Sequence, residues 1–303
     1  MSTARAARRT GERWLRHAAR LVRYRSGAVR GVVAFQHGLQ PLGEGRHALF
    51  SLAIDFELGL PRLLAGAGHA SHAELARERG LYQALLELTR RYHVPVTWAL
   101  AGRLLDANAA GVADHARDLV GLVGQSQSGD EIGCHSFSHA QFSPSPDGRL
   151  DAARDLERAG AVFAAAELHP VTFIFPHNRV THPDLLPAYG YRIYRGKVNV
   201  PPYRDPWGTW VAPLGLWIGP RALSPSDLVH AVQLGAERGA LVHVWCHLTE
   251  FAEGGELVEF LEPALAMVAQ LAWTRAIRPA TLGQVARLLD QAEAVPSGAL
   301  RVV

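Results

Sequence analysis

Short apolar segments alternate along this sequence with longer amphipathic segments, and this alternation restricts the fold more than any other feature. The longer segments have helical spacing, and three begin with a capping pair of Ser or Thr followed three residues later by an acid or amide. Strands that alternate with helices form βα units around a parallel sheet. Six or seven such units favour a barrel over an open sheet, although periodicity alone allows both. The chain is therefore predicted to be an α/β protein.

The predicted strands cover residues 47–55, 94–101, 131–134, 171–175, 191–194 and 240–246, and a last strand opens at Ile277. The predicted helices cover residues 71–92, 112–123, 149–168, 224–238 and 257–273, and a final helix follows Thr281. Residues 200–220 contain five Pro and three Trp. This composition predicts a long functional loop rather than a linker.

Charge divides the chain into two regions. Residues 1–30 contain nine Arg and one acidic residue, for a net charge of +8, whereas the whole 303-residue chain carries only +3. We therefore assign residues 1–46 to a basic N-terminal extension and residues 47–303 to the folded domain. The remainder of the chain is net negative, which argues against a nucleic-acid-binding core.

The basic extension can form a short amphipathic helix with arginines on one face. Its apolar face is either an anchor at an anionic membrane or part of a solvated helix. The candidate apolar residues are Trp14, Leu15, Ala18, Ala19, Leu21 and Val22.

Composition excludes several classes of protein. Hydrophobic residues make up 48% of the chain and charged residues 19%, which excludes a wholly disordered protein. The sequence has no apolar run of about 18 residues and no apolar core of a signal peptide, and its two Cys cannot form a disulfide framework. We expect a cytoplasmic protein, with peripheral membrane contact through residues 1–30.

Two histidines follow the predicted strand 131–134 at a spacing of four residues. In a helical turn His135 and His139 fall on one side, where two neutral imidazoles suit a metal such as Zn²⁺. The spacing alone also fits two polar loop histidines. The first strand ends in Asp55 and Glu57, which point the same way on an extended chain. One of them can complete a metal site while the other accepts a proton from water, or both can simply cap the next element.

A third histidine, His247, directly follows the predicted strand 240–246. In a barrel it would face the same mouth as the carboxylates, because catalytic groups lie at the carboxyl ends of the strands. It can protonate a leaving amine, or it can be an ordinary hydrogen-bonded histidine at a strand end.

These segments resemble the polysaccharide deacetylase family, the NodB-homology family of metal-dependent carbohydrate esterases and deacetylases. Residues 131–139 are similar to its second motif, in which both histidines bind metal, and residues 55–57 are similar to its first motif in the branch with acid-x-acid. The resemblance covers about residues 50–247. It implies a distorted (β/α)7-type barrel with parallel strands.

The resemblance also implies a role for each site residue. Asp55 is the general base, Glu57, His135 and His139 hold one divalent metal ion, for which zinc is the first choice, and His247 is the general acid. An exchange of roles between Asp55 and Glu57 is the alternative.

The third motif departs from the family pattern at residues 173–179, where an isoleucine replaces the usual arginine and no aromatic residue follows the proline. We predict that Arg179 takes over by orienting Asp55. We also predict that His177 and Asn178 contact the substrate, with backbone N–H groups near His177 as donors to an oxyanion.

The predicted function is metal-dependent removal of an N-acetyl group from an amino sugar in a glycan or glycan precursor. In the cytoplasm this substrate would be lipid- or nucleotide-linked, and Trp207 and Trp210 are predicted to provide aromatic walls for it. One alternative is a metal-free amidohydrolase that opens cyclic amides with the same fold. The other is a catalytically silent glycan-binding module. No nucleic-acid partner is expected.

Overall fold

The structure is a computed structural model. It describes residues 35–36, 38–43, 47–60, 64, 66, 70–106, 116–126 and 128–294. The predicted amphipathic segment within residues 1–30 lies outside the described residues. No described helix is long and apolar enough to cross a membrane.

Ten strands form one curled sheet in the order β6-β7-β5-β4-β3-β2-β1-β9-β8, and β10 also pairs with β1. Every pairing is parallel except that of β6 with β7. The strands are β1 Ala48–Phe56, β2 Val96–Leu100, β3 Glu131–Cys134, β4 Thr172–Phe173, β5 Ile193–Arg195, β6 Tyr203–Arg204, β7 Trp210–Ala212, β8 Leu216–Trp217, β9 Leu241–Cys246 and β10 Ile277–Pro279.

Among the described residues, five α-helices lie between strands and a sixth follows β10, and the capping chemistry read from the sequence is present at three of the six. The six helices are α1 His72–Arg91, α2 Arg117–Gly124, α3 Pro146–Ala165, α4 Pro225–Arg238, α5 Gly254–Trp273 and α6 Leu282–Ala294. Reciprocal side-chain to backbone bonds join Ser71 to Glu74, Ser224 to Asp227 and Thr281 to Gln284. Each pair satisfies N–H groups that the first helical turn leaves without partners.

The period of two along β1 sorts its side chains between two apolar clusters. Phe50, Leu52 and Ile54 pack in the large cluster with residues of α1 to α5, whereas Leu49 packs in a second cluster with residues of several strands and of α6. The opposite face of β1 therefore lines the inside of the curl. β6 and β8 lie at the two ends of the strand order, and among the described residues they do not pair with each other. The predicted barrel is therefore confirmed in a distorted, incompletely closed form.

Residues that precede the predicted domain boundary at residue 46 also contact the barrel. Phe35 and Leu39 are buried in the large cluster, and Pro41 forms a β-bridge with Ala240. Arg238 also donates a hydrogen bond to the carbonyl oxygen of Leu39. Phe35, Leu39 and Pro41 are therefore packed against the barrel although they precede the predicted boundary.

The segment 200–220 is not one irregular loop. It contains the short strands β6, β7 and β8, and the hairpin of β6 and β7 forms one edge of the sheet. Strands of two or three residues are too short to produce a detectable alternation of apolar and polar residues.

One layer inside the curl contains a buried histidine. His243 on β9 is fully buried beside Ser51 of β1, and a Cβ atom on Gly215 would lie only 2.5 Å from its ring. Burial lowers the pKa of His243 to about 3, and the charge of Arg195 acts in the same direction while that of Asp55 opposes it. The imidazole is therefore neutral in the folded protein at any ordinary pH.

Replacing His243 should reduce the fall in the free energy of unfolding that occurs as the pH is lowered. The unfolded chain binds a proton at this residue below about pH 6.5, whereas the folded protein does so only near pH 3. The free energy of unfolding must therefore fall as the pH drops through this window. Urea titrations at pH 7 and pH 5 should show a smaller loss for His243→Leu than for the wild type, and His230→Gln, at an exposed histidine, should behave as the wild type. Equal losses in all three proteins would contradict the burial of a neutral imidazole.

Candidate metal centre and catalytic site

The carboxyl ends of four strands meet at one edge of the sheet and carry the polar side chains of the site. Asp55 lies near the end of β1 and Glu57 follows it, His135 follows β3, Arg195 ends β5, and His247 follows β9. Parallel strands place these ends together, which is why residues up to 192 positions apart in sequence form one cluster.

A carboxylate and two imidazoles form the most compact group in this cluster. The Oε1 atom of Glu57 lies 3.1 Å from Nε2 of His135 and 2.9 Å from Nε2 of His139, and all three side chains are buried. Nδ1 of His135 donates a hydrogen bond of 2.8 Å to the carbonyl oxygen of Ile174, which fixes the ring so that Nε2 is directed at the group.

The donor set and its spacing fit a divalent metal ion. These three residues offer one ligand atom each, all within 4.8 Å of one another. The ligand atoms of a tetrahedral zinc ion lie roughly 3.3 Å apart, and a site with two His and one carboxylate leaves a position for water. The group can therefore hold a metal ion with small adjustments.

The loop that carries the two histidines has an unusual backbone. Ser136 and His139 both have positive φ, at 61° and 58°. Such conformations cost on the order of 1–3 kcal/mol for residues other than glycine. The Ser136 hydroxyl accepts a hydrogen bond of 2.9 Å from the His139 N–H, so the loop is closed by its own side chain and the two imidazoles converge.

Asp55 is held by an arginine that the sequence did not single out. The two terminal nitrogens of Arg195 donate to the two carboxylate oxygens of Asp55 at 3.0 and 2.9 Å. Arg195 lies over the ring of Trp245 at 4.2 Å, and its Nε donates to the side-chain oxygen of Asn178 at 2.9 Å. Burial acts to raise the pKa of Asp55, but the charge of Arg195, helped by His135, outweighs it and holds that pKa below its usual value.

Arg179 therefore does not have the predicted role of orienting Asp55. Its side chain is exposed and lines a separate small cavity beside Leu186, whereas Arg195 fills the role from β5. Asn178 contacts Arg195 rather than the open part of the site. One feature of the sequence could have indicated a role for Arg195: it directly follows the predicted strand 191–194, and functional residues concentrate at the carboxyl ends of barrel strands.

His247 lies on the open side of the two carboxylates. Its Nε2 is 3.5 Å from Oε1 of Glu57 and 3.6 Å from Oδ2 of Asp55, and its side chain is 35% exposed. Burial acts to lower the pKa of His247, but the contact with Glu57 and the charges of both carboxylates raise it to about 9. Burial likewise acts to raise the pKa of Glu57, but hydrogen bonds with His135 and His139 hold it well below its ordinary value.

A cavity of about 200 Å³ opens onto Asp55, Glu57 and His247. It is smaller than the roughly 300–1,000 Å³ typical of drug-sized ligands, so it suits one small group of a larger substrate. His177 lies on the other side of the histidine pair, with its exposed ring 4.6 Å from that of His139 and its backbone at a φ of 54°. Burial, followed by the charge of His139, lowers the pKa of His177.

Trp207 and Trp210 do not line the site, contrary to the prediction. Trp210 begins β7, at the opposite end of the strands, and its indole Nε1 donates to Asp290 at 2.8 Å. Trp207 is 49% exposed in the turn before β7, and both residues border a separate cavity with Arg204. The hairpin carries these side chains to the amino ends of the strands, and composition alone cannot reveal that direction.

A second group of possible ligands, Asp55, Glu57 and His247, shares Glu57 with the first. The guanidinium of Arg195 lies against both oxygens of Asp55 and opposes a cation there. The charges therefore favour one metal ion per chain, bound by Glu57 and the two histidines.

Elemental analysis should find about one divalent metal per chain in the wild type. The double variant His135→Ala/His139→Ala should lose it, because two of three ligands are removed. Asp55→Asn should keep it, because Arg195 rather than a metal holds this carboxylate. Metal in the double variant, or none in Asp55→Asn, would contradict this assignment of ligands.

No family model and no curated protein matches this sequence. Solved structures do match its fold. A protein assigned as a polysaccharide deacetylase from Mycobacterium smegmatis aligns with a TM-score of 0.62 and 16% identity over 87% of this chain and 98% of that one. Another from Pseudomonas aeruginosa PAO1 aligns with a TM-score of 0.62 and 15% identity over 80% of this chain and 91% of that one.

The allantoinase PuuE also aligns, with a TM-score of 0.56 and 15% identity over 82% of this chain and 92% of that one. Identities this low define the fold, and a shared fold does not choose the substrate. The resemblance stated from the motifs is thus confirmed at the level of architecture: this chain has the distorted barrel fold of the polysaccharide deacetylases.

Proposed function

We propose that this protein is a metal-dependent hydrolase that removes an N-acetyl group from an amino sugar. The observation that carries the proposal is the pairing of Asp55 with His247, whose Nε2 lies 3.6 Å from the carboxylate, in a cavity that Glu57 also lines. Hydrolysis of an amide needs a base for the attacking water and an acid for the departing amine, and this pair is arranged to supply both.

The charge states of the two groups match these roles. The lowered pKa of Asp55 keeps it ionised at neutral pH, and each oxygen retains a lone pair after pairing with Arg195, so it can accept a proton. The raised pKa of His247 keeps it protonated, so it can donate to the leaving nitrogen. Nε2 of His247 lies 3.6 Å from Oδ2 of Asp55, so the proton that Asp55 accepts can return to His247 after the amine has left.

Glu57, His135 and His139 would hold the metal, and their mixed nitrogen and oxygen donors favour zinc. When bound there, a zinc ion polarises the acetyl carbonyl and lowers the pKa of water toward roughly 7. Arg195 donates hydrogen bonds to both carboxylate oxygens of Asp55. We therefore assign the role of general base to Asp55 and that of metal ligand to Glu57, rather than the reverse. This arrangement corresponds to the acid-x-acid branch of the family.

Groups on the histidine side of the site would complete the reaction geometry. The ring of His177 lies 4.6 Å from that of His139 and the His177 backbone has a positive φ, and a backbone N–H nearby would face the developing oxyanion. The exposed imidazole of His177 is available to a sugar hydroxyl. Asn178 would act through Arg195, by fixing the angle at which the guanidinium meets Asp55.

We also propose that the substrate is a lipid- or nucleotide-linked precursor and that residues 1–30 bring the enzyme to an anionic membrane surface from the cytoplasmic side. Support comes from the net charge of +8 in that segment. Each Lys or Arg near such a surface contributes on the order of 1 kcal/mol. The buried Phe35 and Leu39 would tie the basic segment directly to the barrel.

Acetylated amino sugars should be hydrolysed by the zinc-loaded protein, with release of acetate. Asp55→Asn and His247→Gln should each lower kcat by roughly 10²- to 10⁴-fold, because each removes one proton-transfer group. Both variants should keep their metal, which separates loss of chemistry from loss of the metal centre. Acetate release measured by a coupled assay, with metal content beside it, checks this prediction.

Failure would be informative in two ways. A protein that holds zinc but binds acetylated sugars without cleaving them, equally in wild type and Asp55→Asn, would indicate a glycan-binding module. A protein without metal that opens cyclic amides would indicate the metal-free amidohydrolase.

Binding to vesicles tests the membrane proposal separately. Full-length protein should sediment with vesicles of anionic lipid at low salt and dissociate as salt is raised. Replacing the nine Arg of residues 1–30 with Gln should abolish sedimentation, because the electrostatic attraction is removed. Equal sedimentation of both proteins would contradict a membrane role for this segment.

A further inference from the structure

Both loops that carry the candidate metal ligands contain left-handed backbone next to a ligand. Glu57 is followed by Leu58 and Gly59, with φ of 40° and 69°. In the second loop Ser136 and His139 have φ of 61° and 58°. Three of these four residues are not glycine, so the surrounding structure must hold them in place.

A buried carboxylate of α3 supports the histidine loop. Asp155 accepts hydrogen bonds from the N–H groups of Phe137 and Ser138, at 2.7 and 3.0 Å, and from the hydroxyl of Ser138. These donors lie between the two metal-binding histidines. Asp155 is 6% exposed, so its charge is buried and satisfied by the loop itself.

A second buried carboxylate supports the Glu57 loop from α1. Glu78 is 7% exposed and lines the catalytic cavity beside Glu57 and Gly59. Burial and the charge of Glu57 raise the pKa of Glu78 to about 7, whereas the backbone N–H groups of Gly59 and Leu58 act to lower it. The carboxyl group therefore faces the backbone that follows Glu57.

We propose that Asp155 and Glu78 are positioning residues for the metal centre: Asp155 holds the histidine loop through two consecutive backbone N–H groups, and Glu78 packs against the backbone that follows Glu57. The inference rests on the proposed metal-dependent function. Neither residue contacts the metal, since each acts by fixing the peptide planes that direct Glu57 and the two histidines toward a common point. Conversion of Asp155 to an amide would turn an NH₂ group toward an N–H donor, so one bond of its pair would be lost. The same change at Glu78 would place an NH₂ group against the N–H groups of Leu58 and Gly59.

The experiment compares Asp155→Asn and Glu78→Gln in the full chain with two matched controls. Asp151→Asn and Glu87→Gln make the same acid-to-amide replacement at exposed positions of the same two helices. Zinc affinity is measured by competition with a chromophoric chelator, and the visible spectrum of bound Co²⁺ reports the geometry of the ligands. Acetate release is recorded last.

The two positioning variants should bind zinc roughly 10- to 100-fold more weakly than the wild type. Their Co²⁺ spectra should change, whereas both controls should match the wild type. Folded variants with unchanged zinc affinity and unchanged spectra would overturn the inference, because a purely structural contribution would lower only the melting temperature of the metal-free protein.

If Asp155→Asn does not fold, Ser138→Ala tests the same loop by removing a single donor to Asp155. Normal zinc affinity in both Ser138→Ala and Glu78→Gln would then overturn the inference. A wild type that binds no metal would instead defeat the proposed function. Strong metal binding in the wild type with no effect of the variants would defeat the inference alone.

Discussion

Two carboxylates buried two residues apart at the end of the central strand β1 govern the rest of the site. Asp55 and Glu57 are only 4% and 7% exposed, and a buried carboxylate stays ionised only if cations or hydrogen-bond donors surround it. Arg195 meets this requirement for Asp55, and His135 and His139 meet it for Glu57. Arg195 ends β5, and the two histidines lie in the loop after β3. The ionised state of both carboxylates therefore depends on the curl of the sheet, which brings these segments to the end of β1.

The interior of the barrel is graded from apolar to charged along the strand direction. Leu49 and Leu241 share an apolar cluster at the amino ends, His243 and Ser51 form a buried polar layer, and the ionised groups lie at the carboxyl ends. Moving β1 by one residue would exchange its inner and outer faces and place Asp55 among the helices. The hydrophobic packing of the outer face therefore fixes the register that keeps Asp55 on the inner face.

Local motifs predicted much of the candidate site. His135 and His139 lie in one loop, and Asp55 and Glu57 lie on one strand end, so their convergence is largely set by spacing. His247 could be placed because it follows a strongly apolar strand, β9, that pairs directly with β1. The outcome was different for Arg179, Trp207 and Trp210, whose directions depend on a short 3₁₀ turn and a small hairpin rather than on a long periodic segment.

Long-range partners carry no comparable signal in the sequence. Arg195 lies 140 residues from Asp55, and Asp155 reaches the histidine loop from a separate helix. The partner of one particular arginine or aspartate cannot be predicted until the strand order and the packing of the helices are known. Phe35 and Leu39 are a similar case, since only contact with the core distinguishes them from an apolar pair in a basic extension.

The sequence by itself determined the βα alternation, the capped helix starts and the two local motifs, Asp55 with Glu57 and His135 with His139, from which a metal site can be built. Each of these features depends on spacing within a few residues. Only the tertiary structure decided which arginine holds Asp55, which helices support the two ligand loops and which residues before position 46 pack against the barrel. Those outcomes depend on contacts between segments far apart in the chain, and such contacts arise only when the curled sheet brings its strand ends together.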